Sequence, residues 1–207
     1  DIPVITHNHE FHGSAVRGAD GAFLNGEHPR VASLTMAEIE RFDIGRLNAD
    51  TEYGRRFPDQ AQMDGIRVPR LGELLHLVSQ PRYATACLML ELKSDPDFAQ
   101  DSAVRERIVS VICRDVREAK LADRTLLHSF DWALLAECRR QAPDMPLSFL
   151  TQLQENEHDV GEDSSILVTP DFSKPDMSVP DEVRKAGGSL WCPHFTELGA
   201  DDLARAR

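Results

Sequence analysis

No apolar run in this chain of 207 residues approaches the roughly 18 needed to span a bilayer, so no transmembrane helix is expected. Cysteine is scarce. Cys87, Cys113, Cys138 and Cys192 stand far apart with no CxxC pair, which disfavours a zinc ribbon and a disulfide framework and leaves buried thiols as the expectation. Positive charge is the minority sign, 23 Lys and Arg against 35 Asp and Glu, for a formal net charge of -12. That balance argues against a nucleic-acid footprint or a polybasic membrane contact. It leaves room for a small anionic substrate, since local charge at a site outweighs the global field at contact distance. No internal repeat and no signal peptide are recognisable. The expected location is the cytoplasm, with a periplasmic or secreted one left open because the chain opens at Asp1 and runs straight into an apolar segment.

Apolar segments alternate with helical patterns along the chain, which argues for a mostly parallel α/β architecture in one domain spanning residues 1–207. Residues 2–6, 88–92, 125–130, 147–150 and 189–193 read as strands. Residues 34–41 read as a short helix capped by Ser33 or Thr35, and residues 71–78, 101–120, 132–141 and 179–186 as further helices. Along residues 101–120, Val104, Ile108, Val111, Ile112 and Val116 line one face. Residues 43–67 lose periodicity and gather Gly, Pro, Asp and Arg, as a functional insertion does. Residues 154–165, rich in Glu, Asp and Ser, read as a loop.

The most informative segment is Leu88-Met89-Leu90-Glu91-Leu92-Lys93-Ser94. Side chains alternate along a strand, so Glu91 and Lys93 point one way and Leu90 and Leu92 the other. A buried strand ending in paired opposite charges suits the floor of an active site, although a plain structural ion pair has the same pattern. Ile2-Pro3-Val4-Ile5-Thr6-His7-Asn8 repeats the design, with His7 at the strand end. An imidazole there can act as acid or base, because its ordinary pKa of about 6.5 populates both forms near neutrality.

With Leu34-Thr35-Met36-Ala37-Glu38-Ile39, Val68-Pro69-Arg70-Leu71-Gly72-Glu73-Leu74-Leu75 and Ser129-Phe130-Asp131, these segments resemble in order and spacing the glycerophosphodiester phosphodiesterase family. The resemblance implies a TIM (β/α)8 barrel, which usually needs about 250 residues. The barrel is expected to be incomplete here: five strands are countable, and the family's opening His-Arg pair, Glu-x-Asp motif and closing Trp-Thr-Val-Asn strand have no counterpart. Either the chain is a piece of a longer protein or its barrel lacks the first strands and the last.

The resemblance also implies the chemistry: hydrolysis of a glycerophosphodiester, a small-molecule substrate, to glycerol 3-phosphate and an alcohol, with a divalent Mg2+ or Ca2+ ion. His7 takes the place of the catalytic histidine of a His-Asp motif, with Asn8 instead of the aspartate. Glu91 matches the metal-binding glutamate of a Glu-Ile-Lys motif, and Lys93 fits as a point charge on a phosphate oxygen. His128 and Trp191, at the ends of later strands, are candidate substrate-lining residues, with His194 beside Trp191; core packing is an equal expectation for Trp191. Two other readings compete. Thr6-His7-Asn8-His9 is a strand-end His-x-His that resembles the metal pair of barrel amidohydrolases, with zinc held by His7 and His9. A barrel that has lost its chemistry and only binds is the other.

Overall fold

The computed structural model describes residues 1–26, 28–95, 99–152, 169–174 and 177–206; the loop expected over residues 154–165 lies outside them. The chain divides into two compact units, Ile2–Glu73 and Leu74–Arg207, with Asp1 counted in the second.

In the first unit, residues 2–6 do not form the expected strand. Their pairing is one antiparallel bridge, Val4 with Arg70, beside hydrogen bonds from Ile5 N–H to the Pro69 carbonyl and from Leu71 N–H to the Pro3 carbonyl. Pro3 and Pro69 have no N–H to donate, so the ladder stops where it starts. Phe11, Val16, Ile39 and Val68 form the core, with Val4, Leu24 and Phe42 packed against it. Gly13 lies so near the chain that a Cβ there would meet the Leu24 carbonyl oxygen at 1.8 Å. The helix expected over residues 34–41 is one turn, α1 (Met36–Ile39). Thr35 rather than Ser33 caps it: its hydroxyl accepts from Glu38 N–H, and the Glu38 carboxylate accepts from Thr35 N–H at 2.7 Å.

Residues 43–67 are more ordered than their composition suggested. They contain α2 (Glu52–Arg56), capped by Thr51, and they close on themselves at the base. There Ile44 N–H donates to the Ile66 carbonyl and Met63 N–H to the Gly45 carbonyl. Arg17 reaches both ends of the segment, 2.8 Å from Asp43 and 2.7 Å from Asp64. Asp43 also accepts from the N–H groups of Gly45 and Gly65, which hold its carboxyl below the usual range. The Arg46 guanidinium, bidentate on Asp64, does the same for that group with help from Arg17.

The α3 helix (Leu71–Val78) leads into the second unit's sheet of four parallel strands. In spatial as in chain order they are β1 (Leu88–Glu91), β2 (Thr125–Ser129), β3 (Leu147–Thr151) and β4 (Leu190–Pro193). Crossovers carry α4 (Ser102–Glu118), α5 (Trp132–Gln141) and α6 (Val179–Lys185), and α7 (Ala200–Ala206) follows β4. Asp101 caps α4 and Asp131 caps α5, each accepting from two N–H groups of the first turn. One sheet face, with Leu127, Leu147 and Phe149, is buried with Leu134, Leu135 and Cys138 of α5, which packs on β2 and β3. Val109, Cys113 and Val116 of α4, which packs beside α5, are buried as well.

The opposite face, with Met89, Glu91, His128, Ser148 and Leu190, is less covered at its edges. Met89 is 58% and Leu190 50% exposed, so β1 is an edge strand rather than the buried strand its apolar run suggested. Among the described residues the sheet is an open α/β arrangement and does not close into a barrel. The thiols divide likewise: Cys113 and Cys138 are buried, Cys192 is half-buried, and Cys87 is exposed, contrary to expectation. Burial pushes the Cys113 thiol up to about 11 and that of Cys138 upward as well, so both remain protonated and inert.

Candidate active site at the strand ends

The carboxyl ends of parallel strands are where α/β barrels build their sites, because the following loops diverge there and leave side chains accessible. Glu91 is the last residue of β1, and Lys93 follows two residues on with its ammonium 2.9 Å from the Glu91 carboxylate. The expected alternation is present. Register brings in a third group, since Glu91 pairs with His128 of β2 and His128 with Ser148 of β3, placing the three side chains on one face. His128 is 7% exposed, and its Nδ1 lies 2.8 Å from the Ser148 hydroxyl. Burial holds its imidazole below the ordinary range, opposed in part by the Glu91 carboxylate. Ser148, 1% exposed, was not anticipated from the sequence, because only the β2–β3 register reveals it.

A neutral His128 has a measurable consequence. Its folded pKa lies below the unfolded value of about 6.5, so its stabilising contribution is complete above that pH. As pH falls the unfolded chain takes up the proton first, and stability is lost from about 6.5 down through the lower folded value. Denaturant titrations should show wild type losing stability relative to His128→Gln as pH drops below 6.5. Parallel curves for the two proteins would show that His128 does not titrate differently on folding.

Trp191 is not brought together with these groups. It pairs with Phe149, which alternates with Ser148, and therefore lies on the opposite face of the sheet from Glu91 and His128. Its indole N–H donates to the Thr151 hydroxyl at 3.0 Å, and that hydroxyl donates to Glu197 at 2.9 Å. The geometry suits packing. His194 turns back on its own chain, with Nδ1 accepting from Thr196 N–H and its ring 4.6 Å from that of Phe195.

His7 and His9 belong to the first unit, in a bend and not on a strand, so the alternation that would place both imidazoles on one face is missing. The Asn8 side-chain oxygen lies 2.6 Å from His7 Nδ1 and accepts a hydrogen bond from it. Among the described residues, no group of three or more His, Cys, Asp or Glu side chains is arranged to hold a metal ion. Glu91 suits a hard divalent cation as one oxygen donor, but such ions take about six to eight ligands, and one carboxylate is not a site.

A parallel sheet with helical crossovers, carrying charged and titratable groups at the carboxyl ends of its strands, defines an α/β protein with its polar groups where that class builds its sites. The model of the glycerophosphoryl diester phosphodiesterase family matches residues 1–185, and the chain belongs to that family. It is similar over 99% of its length, at 46% identity and a TM-score of 0.87, to a Silicibacter pomeroyi DSS-3 protein assigned as a glycerophosphoryl diester phosphodiesterase. An Oleispira antarctica phosphodiesterase solved with the product sn-glycerol-3-phosphate shares the fold at 14% identity and a TM-score of 0.63, again over 99% of this chain. A glycerophosphoryl diester phosphodiesterase assigned in Agrobacterium tumefaciens str. C58 does so at 14% and 0.61, over 98% of this chain. The chain spans 65%, 63% and 62% of the lengths of these three. None of the curated proteins matches it significantly.

Proposed function

We propose that this chain serves the hydrolysis of a glycerophosphodiester to glycerol 3-phosphate and an alcohol, assisted by a divalent cation, Mg2+ or Ca2+. The observation that carries the reading is the Glu91 and Lys93 pair at the end of β1, flanked by buried His128, in a chain matched by the family over residues 1–185. In this reading residues 1–207 belong to one barrel domain, with residues 43–67 as an insertion. Lys93 contacts a non-bridging phosphate oxygen, where a fixed ammonium offsets charge that grows in the transition state. His7 protonates the departing alcohol oxygen, and His128 lines the substrate as a neutral hydrogen-bonding group. Glu91 would be one ligand of the cation, whose charge, when bound, stabilises the phosphoryl group.

The test is an assay of the full-length protein on sn-glycero-3-phosphocholine and on a simple carboxylic ester. Phosphodiester turnover is expected; ester turnover without it would favour a different hydrolase. Glu91→Gln keeps shape and removes charge, so it should weaken the divalent-ion dependence of the rate, with excess metal restoring part of the activity. An unchanged metal titration and an unchanged rate would leave Glu91 as an ion-pair partner only.

A further inference from the structure

The end of β2 grips the chain on both sides of Lys93. Before the lysine, Leu92 N–H donates to the His128 carbonyl at 2.8 Å, and the Ser129 hydroxyl donates to the Leu92 carbonyl at 2.7 Å. After it, the Ser94 hydroxyl donates to the Asp131 carboxylate. These anchors are buried. Ser129 and Asp131 are each 1% exposed, and Asp131 N–H donates to the Ser129 hydroxyl at 2.9 Å. One Asp131 oxygen, Oδ1, accepts from Ala133 and Leu134 N–H at the start of α5, while the other, Oδ2, takes the Ser94 hydroxyl. Leu92 is itself 3% exposed. The lysine therefore leaves a chain held through the Leu92 backbone before it and the Ser94 side chain after it, although its own side chain is a quarter exposed.

A lysine is a point charge on a flexible stem, so its ammonium is delivered accurately only if its Cα is fixed. Helix capping alone requires Asp131 Oδ1 and does not involve Ser94. We propose that Ser94 and Asp131, with Ser129, are positioning residues for the reaction, acting through Lys93 by setting where its ammonium meets the phosphate. The proposal rests on the reading of Lys93 given above. It gives the Ser129-Phe130-Asp131 triplet a physical task beyond starting a helix: its two polar side chains hold the strand next door.

Ser94→Ala removes the outer clamp and leaves the α5 cap intact. In the full-length protein acting on sn-glycero-3-phosphocholine it should lower kcat about 10- to 100-fold, the scale of a misplaced catalytic group. KM should stay near wild type, and Ser94→Thr, which keeps the hydroxyl, should recover most of the rate. The decisive measurement is the double variant: once Lys93→Met has removed the ammonium, adding Ser94→Ala should cost nothing further. An equal fractional loss in both backgrounds, or wild-type kcat in Ser94→Ala, overturns the proposal while the role of Lys93 stands. Wild-type turnover in Lys93→Met overturns the role of Lys93 and this proposal with it.

Discussion

His7→Ala in the full-length protein is expected to lower glycerophosphodiester turnover about 10²- to 10⁴-fold with the fold intact, the range a positioned general acid contributes. The local geometry supports both halves of that expectation. Asn8 Oδ1 can only accept, so the 2.6 Å contact places a proton on His7 Nδ1 and orients the ring. A neutral amide performs this task without the charge that the aspartate of the resembled motif would bring. The contact is exposed, and its loss should cost the fold little. A well-folded His7→Ala protein with wild-type turnover would remove His7 from the mechanism.

Lys93→Met is expected to cost about 10²- to 10³-fold in kcat, the usual effect of losing one group aimed at developing charge. Stability should barely change, for a reason of magnitude. The Lys93 and Glu91 side chains are 25% and 28% exposed, and ion pairs that water reaches contribute about 0–1 kcal/mol. The same substitution would remove about 2.7–4 kcal/mol of transition-state stabilisation. Lys93→Arg should recover only part of the rate, since a planar fork does not occupy the position of a compact ammonium. Comparing kcat with the urea midpoint for the three proteins separates the effects: a stability loss matching the rate loss would reduce Lys93 to a structural cation.

Much of the second unit is legible in the sequence because its signals are local. The alternation in residues 88–94 places Glu91 beside Lys93, and the three- and four-residue spacing of Val104, Ile108, Val111, Ile112 and Val116 marks α4. Residues 2–6 show the limit. Their β-branched run has strand character, but a strand also needs a partner able to donate and accept along its length, and the proline placement that prevents this lies partly at Pro69. What decides the site was least visible. The Ser129 hydroxyl and Leu92 carbonyl are 37 residues apart, His128 and Ser148 are 20 apart, and Trp191 and Thr151 are 40 apart. Parallel register creates each of these meetings, and no window of sequence records register. The same holds for the orientation of Trp191: its place near a strand end was readable, but the face it occupies was not.

Arg17 bears on how the first unit tolerates change. Its guanidinium pins Asp43 and Asp64 together, Arg46 grips Asp64 as well, and the backbone bonds at Gly45 and Ile66 close the same gap, so the ends of the intervening segment are fixed by contacts at its base. Loop-closure entropy rises only logarithmically with length, about 0.6 kcal/mol per doubling. Spacing along the chain is thereby separated from closure in space, and residues 49–62, beyond Arg46 on Asp64 and Asn48 on the Gly13 and Ser14 carbonyls, form a cassette whose length and composition can be exchanged while the base keeps its shape. For an engineer seeking to alter this region without disturbing the core around Phe11 and Ile39, Arg17, its two aspartates, Arg46 and Asn48 are the residues to leave alone.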